Sequence, residues 1–167
     1  DYGITVKEVN LPIFEIKTSK LHEIVKEKVK QAFAILKGPV LADDVGVFFD
    51  AYNDFPGDSP KKVFKGIGYD GIMRLLKNKK RTARFAITLA YLDKQLKEPL
   101  FFTGTCFGRI AKEPCARKNP NFPFDSIFIP RGSKKAMIEF SSEERKKFSC
   151  RAKALKKFIK YLRKYEN

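Results

Sequence analysis

Histidine and cysteine are scarce in this sequence of 167 residues, which has one histidine and three cysteines. The cysteines, Cys106, Cys115 and Cys150, are too few and too widely spaced for a disulfide framework or a zinc site. This usage is typical of a reducing compartment. The single histidine, His22, has no second histidine to act with, so we expect a surface residue rather than a metal ligand or a catalytic base.

Long apolar runs are also missing. None approaches the roughly 18 residues that a membrane span requires, and no secretory leader is visible. We therefore expect a cytoplasmic protein with no membrane partner. The first residue is Asp1 rather than methionine, so we expect that an N-terminal piece precedes this sequence.

Acidic residues are few relative to basic ones. There are 35 lysines and arginines against 19 aspartates and glutamates, which gives a formal charge of +16 and predicts an anionic partner. Nucleic acid, a membrane surface and a phosphorylated small molecule all meet that description. Residues 131–167 hold 13 basic and 4 acidic residues, and so carry nine of the 16 charges. A hyperthermophilic source would also explain part of this excess.

The remaining composition predicts one packed domain over residues 1–167. Hydrophobic residues make up 43% of the chain and include 16 phenylalanines, enough for a core without disulfides or structural metal. Local patterns predict a mixture of helices and strands. The segments are a strand at 4–11, a helix capped by Ser19 and ending at 37–39, a loop at 55–60, a short helix carrying Ile72, Leu75 and Leu76, a solvated basic turn at 77–81, and paired strands at 85–92 and 100–110.

Two adjacent carboxylates, Asp43 and Asp44, separate the apolar runs 39–42 and 45–49. This pattern predicts a strand, a turn and a second strand. Burying an ionised carboxylate costs several kcal/mol unless a cation or hydrogen-bond donors compensate it. The pair is therefore either a site that binds a cation or, with equal weight from these residues alone, a polar turn in a hairpin.

The last third of the chain offers a second candidate site. Phe122, Phe124 and Asp125 could stack a planar ring and accept its hydrogen bonds, although a hydrophobic plug under a long loop is the favoured interpretation. Ser141 and Glu144 form a capping-box pattern, and a final helix is expected over 149–165. The first turn of this helix has free backbone N–H groups and the guanidinium of Arg151, which together could bind an anion or a carbonyl-rich ring.

Six motifs in series resemble the inosine/xanthosine triphosphate pyrophosphatase family of Ham1-like nucleotide hydrolases. They cover nearly the whole chain in the family's order, at residues 40–46, 55–57, 81–85, 122–132, 142–145 and 149–155. The resemblance implies an elongated, two-lobed α/β domain, in which a central mixed sheet is flanked by helices and a cleft lies between the lobes. It also implies a homodimer that hydrolyses ITP, dITP and XTP to the monophosphate and pyrophosphate with Mg²⁺, for which Mn²⁺ is the alternative metal.

The resemblance assigns roles by position. Asp44 matches the family's catalytic, metal-associated aspartate, and Asp43 and Glu15 match metal-binding positions. Lys30 and Lys61 match lysines near the phosphates. Base-recognition positions are occupied by Phe122, Phe124, Asp125, Arg145, Ser149, Cys150 and Arg151. An arginine that donates to a 6-oxo group gives a reason to reject adenine, whose amino group also donates.

The sequence also departs from the family pattern. Cys150 replaces a base-contacting histidine, and Pro123 removes a backbone N–H from the base-reading loop. The family's first strand and phosphate-binding loop have no counterpart here, so we expect about 20 residues upstream of Asp1, because losing a central strand would expose a sheet edge.

Two alternatives remain. One is a weakened family member that binds nucleotide or nucleic acid without turnover. The other is an unrelated basic nucleic-acid-binding domain, for which no usual recognition module fits, and we do not expect a nucleic-acid partner.

Overall fold

The computed structural model describes residues 4–18, 20–116 and 119–165. The elements, in chain order, are helix α1 (Leu21–Leu36), strands β1 (Val40–Phe49) and β2 (Pro56–Gly57), helix α2 (Pro60–Leu75), strands β3 (Thr82–Leu92), β4 (Leu100–Ile110) and β5 (Phe128–Pro130), and helices α3 (Ser142–Phe148) and α4 (Cys150–Tyr165). Within these ranges no helix has the length and apolar character needed to cross a membrane.

The five strands form one sheet in the order β2-β1-β3-β4-β5. The α/β class expected from the sequence is confirmed. Every pair of neighbouring strands in the described chain is antiparallel, so the expectation of a mixed sheet is corrected for these residues. The short connection between β3 and β4 explains part of this arrangement, because a parallel pair needs a long crossover.

The acidic pair lies in the middle of β1, and the turn expected between its two apolar runs does not exist. The ladder between β1 and β3 runs without a break from Val40 opposite Leu92 to Phe49 opposite Ala83. Ten continuous cross-strand pairs therefore hold the aspartates in an extended backbone. Because successive side chains of a strand point to opposite faces, Asp43 and Asp44 lie on opposite sides of the sheet.

Helices cover both faces of the sheet. On the Asp44 face, α1 buries Val25, Val29 and Ala32 against Val40 and Ala90. On the Asp43 face, Ala154 of α4 packs with Ile87 and Leu89 of β3. A third cluster lies toward the far end of β1 and includes Phe49, Ile72, Phe124 and Phe128. The strand that carries both aspartates is therefore packed between α1 and α4.

Several local predictions are confirmed. Helix α1 ends with Lys37 in a left-handed conformation, φ 56°, next to the expected Gly38. Ser141 and Glu144 form the expected capping box at the start of α3. Helix α4 begins within one residue of the predicted position, and His22 is exposed against the ring of Phe101. The predicted cap Ser19 lies outside the described residues.

Other local predictions are wrong. The described residues 4–11 form no strand, and α2 starts at Pro60 and bends at Gly68, where φ is 60°, so the helix is longer than expected. The basic segment 77–81 is not a purely solvated turn. Arg81 donates hydrogen bonds to the carbonyls of Leu76 (3.2 Å) and Ile110 (2.9 Å), and so ties the end of α2 to the end of β4.

Candidate active site

Asp44 is part of a three-residue charge cluster under α1. Lys28 of α1 donates to the Asp44 carboxylate at 3.0 Å and also forms an ion pair with Glu15. The Asp44 and Lys28 side chains are only 18% and 16% exposed, whereas Glu15 is 61% exposed. Two of the three predicted metal ligands, Asp44 and Glu15, thus converge on one ammonium group.

Burial shapes the ionisation of this cluster. It raises the pKa of Asp44, an effect that Lys28 opposes and that the negative charges of Glu15 and Asp58 reinforce. For Lys28, burial opposes the charged form, but the hydrogen bonds to Glu15 and Asp44 outweigh it, so the pKa of Lys28 is raised. The cluster therefore contains a permanent cation and a carboxylate that is more basic than a free aspartate.

Asp43 belongs to a different set of contacts on the other face of β1. Its carboxylate accepts a hydrogen bond of 2.8 Å from Arg151 in the first turn of α4. The structure therefore does not bring Asp43 together with Asp44 and Glu15. It links Asp43 instead to one of the predicted base-recognition residues.

A cavity of about 390 Å³ lies where α3 and the start of α4 meet the sheet. Four of the predicted base-recognition residues line it, namely Asp125, Arg145, Ser149 and Cys150, together with Phe85, Cys106 and Met137. Asp125 is buried and forms an ion pair with Arg145. Burial raises the pKa of Asp125, and the neighbouring Arg145 opposes that shift. The cavity thus combines apolar walls with one buried, paired carboxylate, which is typical of a site for a planar polar ring.

The two cysteines of this cavity are neutral at physiological pH. Burial raises the pKa of Cys106 to about 11 and also raises the pKa of Cys150. Neither thiol can replace an imidazole as a strong donor at this position.

Ser149, which also lines this cavity, caps α4. Its hydroxyl accepts a hydrogen bond of 3.1 Å from the Ala152 N–H.

The remaining predicted site residues neither belong to the Asp44 cluster nor line the cavity beside Asp125. Phe124 is buried against Phe49, so for this ring the plug interpretation is correct, whereas Phe122 is 56% exposed. The Lys61 ammonium lies 5.8 Å from the centre of the Phe122 ring. Lys30 pairs with Glu98 at 3.1 Å, on the surface.

A further cavity, of about 690 Å³, follows the outer edge of β1 and touches both Lys28 and Asp43. Strand β2 pairs only with Val47 and Phe48, so the rest of this edge has no neighbouring strand in the described part of the chain. This cavity therefore borders both Lys28 of the Asp44 cluster and Asp43 on the other face of the strand.

Comparison with known proteins identifies the family. The profile of the Ham1 family matches residues 2–161. The chain belongs to the Ham1 family. Proteins named dITP/XTP pyrophosphatase from Thermococcus kodakarensis and Methanopyrus kandleri are 37% and 38% identical to this Ham1 chain, each over 96% of it and 85% and 84% of their own lengths. A protein named inosine triphosphate pyrophosphatase 1, from Trypanosoma cruzi, is 34% identical over 91% of this chain and 77% of its own length.

Solved structures agree on the fold. The Ham1 protein of Staphylococcus aureus superposes with a TM-score of 0.80 at 23% identity, covering 93% of this chain and 82% of its own. A HAM1 protein from Coxiella burnetii gives a TM-score of 0.77 at 24% identity over 91% of this chain and 82% of its own. At this identity the similarity supports the architecture of the Ham1 chain alone.

The structure adds Lys28 to the site of this Ham1 chain, a residue that the sequence reasoning missed. A sequence feature could have identified it. Lys28 lies four residues after Ile24 and four before Ala32, and is therefore on the apolar stripe of α1 rather than on its solvated face. A lysine at such a position needs a carboxylate partner inside the protein, and Asp44 provides one.

Proposed function

We propose that this chain hydrolyses non-canonical purine nucleoside triphosphates, ITP, dITP and XTP, to the monophosphate and pyrophosphate. The observation that carries the proposal is the buried carboxylate Asp44, held by Lys28 and adjoined by Glu15, in a chain that is 37% identical over nearly its full length to a protein named dITP/XTP pyrophosphatase. A triphosphate requires cations for its oxygens and an ionised group for the attacking water.

The donor set of the Asp44 cluster fits Mg²⁺. The described residues contain no group of three or more histidine, cysteine or acidic side chains that could hold a metal ion. Mg²⁺ is commonly bound by one or two carboxylates, with water and substrate phosphates as the other ligands, and Mn²⁺ accepts similar ligands. Asp44 and Glu15 would hold the ion, which when bound would neutralise phosphate charge and polarise the phosphorus to be attacked.

Each residue of the cluster has a separate proposed role. Ionised Asp44, held in position by Lys28, would orient the attacking water and accept its proton. When Asp44 and Glu15 hold the metal ion, the Lys28 ammonium that pairs with them in this structure would turn to a phosphate oxygen. Lys61, beside the exposed Phe122 ring, would hold a more distant phosphate or the sugar side of the substrate.

The purine would enter the cavity beside Asp125. Ionised Asp125 accepts hydrogen bonds, so it would favour a base whose edge presents N–H donors. Arg145 and Arg151 would supply donors to the 6-oxo oxygen of hypoxanthine or xanthine. Arg151 points to Asp43 in this structure, and we propose that it turns toward the base when substrate binds.

The experiment measures pyrophosphate release from ITP, dITP, XTP, ATP and GTP with Mg²⁺, for the native chain and for Asp44→Asn and Asp43→Asn. These adjacent residues form a matched pair, because the same substitution is made on opposite faces of one strand. We expect release from ITP, dITP and XTP, a loss of at least about 100-fold in kcat for Asp44→Asn, and retained turnover with an altered ITP to ATP ratio for Asp43→Asn.

Two results would contradict these assignments. A kcat of Asp44→Asn within about tenfold of the native value would remove Asp44 from catalysis. If both variants lose the same factor in kcat and the ITP to ATP ratio is unchanged, Asp43 acts at the metal site and takes no part in base selection. If the native chain binds ITP but hydrolyses none of the five nucleotides, it is a family member without turnover.

A homodimer and a cytoplasmic location also belong to this proposal. The cytoplasmic location is supported by the scarcity of cysteine and by the free thiols of Cys106 and Cys150. The homodimer rests on the family resemblance and is tested by sedimentation equilibrium of the purified chain.

A further inference from the structure

A third cavity, at the free edge of β4, is lined mostly by basic side chains. It has a volume of about 750 Å³ and lies between α4 and the free edge of β4. Its lining consists of Thr103, Gly104, Thr105 and Ile159, with the basic residues Lys153, Lys156, Lys157, Lys160 and Arg163. No carboxylate is among these lining residues. We refer to this cavity as the β4–α4 groove.

The lysines of the β4–α4 groove form a regular stripe on α4. They follow one another at intervals of three, one and three residues, which places all four on one side of the helix. The stripe from Lys153 to Lys160 is about 10 Å long. In the described part of the chain no ion pair involves any of these four lysines, and all four are exposed.

Two of the lysines are fixed in place by the strand. Lys153 donates to the backbone carbonyl of Thr105 at 2.8 Å, and Lys157 donates to that of Thr103 at 2.6 Å. Strand β5 pairs only with residues Gly108–Ile110 of β4, so these carbonyls belong to an edge without a neighbouring strand in the described residues. Lys153 and Lys157 are therefore ordered along the groove rather than free in solvent.

The groove is consequently rich in donors and poor in acceptors. In an antiparallel strand the N–H and C=O of one residue point to the same side, so the Thr103 and Thr105 N–H groups also face the open edge. Their carbonyls are already occupied by lysine. A strand added to this edge would find too few acceptors, whereas a ligand made of anionic oxygens would meet ammonium and N–H donors along its length.

We propose that the β4–α4 groove binds the phosphate backbone of a single-stranded nucleic acid. The stripe of lysines, about 10 Å long, is longer than a single phosphate or pyrophosphate, and its donors lie in one row beside a strand edge, which fits the successive phosphates of one extended strand. No aromatic ring lines the groove, so binding is through phosphates and independent of base sequence. This site is separate from the cavity at Asp125 and does not depend on nucleotide hydrolysis.

The test is a fluorescence-anisotropy titration of the full chain with a fluorescein-labelled oligothymidylate of about 16 nucleotides, in EDTA. Four neutralised phosphates predict that log K falls with log salt with a slope of about −3. Lys156→Glu/Lys160→Glu changes two groove lysines that make no bond to the strand. We expect this variant to lose at least about tenfold in affinity and about half of the slope.

The matched control is Lys79→Glu/Lys80→Glu, which makes the same change of charge on an exposed segment away from the groove. We expect it to retain affinity within about twofold. Equal losses in the two variants would show attraction to net charge alone and overturn the site. Tighter binding of a duplex than of the single strand, or displacement of the oligonucleotide by an equal concentration of tripolyphosphate, would overturn the proposed ligand.

Nucleotide hydrolysis is measured in parallel to keep the two proposals separate. Lys156 and Lys160 take no part in the active site proposed above, so we expect ITP turnover by the groove variant to equal that of the native chain. Displacement of the oligonucleotide by ITP would place it in the nucleotide site and overturn the groove. A native chain that binds oligonucleotide through the groove but hydrolyses no nucleotide would contradict the proposed function and leave this inference standing.

Discussion

Asp125 is a buried carboxylate whose ion-pair partner, Arg145, is 40% exposed. Removing Arg145 would leave Asp125 without a compensating cation inside the protein. An unpaired buried group of this kind costs about 2 kcal/mol, and more when it stays charged. The substitution Arg145→Ala therefore predicts a fall of about 2 kcal/mol in the free energy of unfolding at about pH 7, measured by urea denaturation, with Arg145→Lys as the charge-conserving control.

The pH dependence of this loss has a definite sign. Burial raises the pKa of Asp125 above its ordinary value of 3.8, and Arg145 opposes the shift, so its removal raises the pKa further. A carboxyl whose pKa is higher in the folded state binds its proton more tightly there, and acid stabilises the folded state relative to the unfolded one. The destabilisation by Arg145→Ala should therefore shrink between about pH 7 and about pH 5. A loss that grows toward acid would show that Asp125 is not the group left unpaired.

At the scale of residues, the sequence predicted which residues belong to the candidate sites better than it predicted which of them contact one another. Asp44, Asp125 and Arg145 were identified from motifs, and the structure places each in a buried or lined site. Whether Asp43 accompanies Asp44 depends on the local backbone, since a turn can bring adjacent side chains together whereas a strand separates them. Only the unbroken ladder with β3 decides that question.

Helix α4 approaches β4 unusually closely, and Gly104 makes this possible. A Cβ atom at position 104 would collide with the backbone carbonyl of Cys150 and lie 3.0 Å from the Ala154 nitrogen. Backbone cannot move aside as a flexible side chain can, so overpacking here costs about 3 kcal/mol. Gly104→Ala is expected to lower the free energy of unfolding by that amount, measured by urea denaturation.

A second glycine provides the control for this prediction. Gly66 in α2 has no atom within 4 Å of an added Cβ, so Gly66→Ala removes only backbone freedom and should stabilise the chain by up to about 1 kcal/mol. A neutral Gly104→Ala would show that α4 can withdraw from the sheet. In that case the start of α4 moves too, and the cavity lined by Cys150 should change its affinity for a purine nucleotide.

At the scale of elements, the long periodic segments were predictable and the short or interrupted ones were not. Helices α1 and α4 and strands β3 and β4 combine a clear period with sufficient length. The alternation in residues 4–11 did not produce a strand: these residues line the same cavity as the free edge of β1 but form no ladder with it, and a strand needs a partner for its backbone groups. The length of α2 was underestimated because three glycines interrupt its apolar pattern, although Pro60 after Ser59 is a typical helix start.

At the scale of the whole molecule, charge and fold have to be considered separately. The fold follows from the three hydrophobic clusters around the sheet, and none of them needs the excess of lysine. The net charge of +16 instead lowers the stability of the folded chain, because folding brings like charges closer together. The ion pairs of the described residues are mostly exposed and contribute little against it.

Salt should therefore stabilise this chain against heat. Raising KCl from about 0.02 M to about 0.2 M shortens the Debye length to below 10 Å and screens the repulsion among lysines. If the repulsion costs about 1 kcal/mol, the melting temperature should rise by about 3 °C over this range, measured by circular dichroism. The variant Lys79→Glu/Lys80→Glu lowers the net charge from +16 to +12 without touching the core or either proposed site, so its rise should be smaller. A melting temperature that falls with KCl would mean that attractive pairs such as Lys28 with Asp44, rather than the net charge, dominate the electrostatic energy of the folded chain.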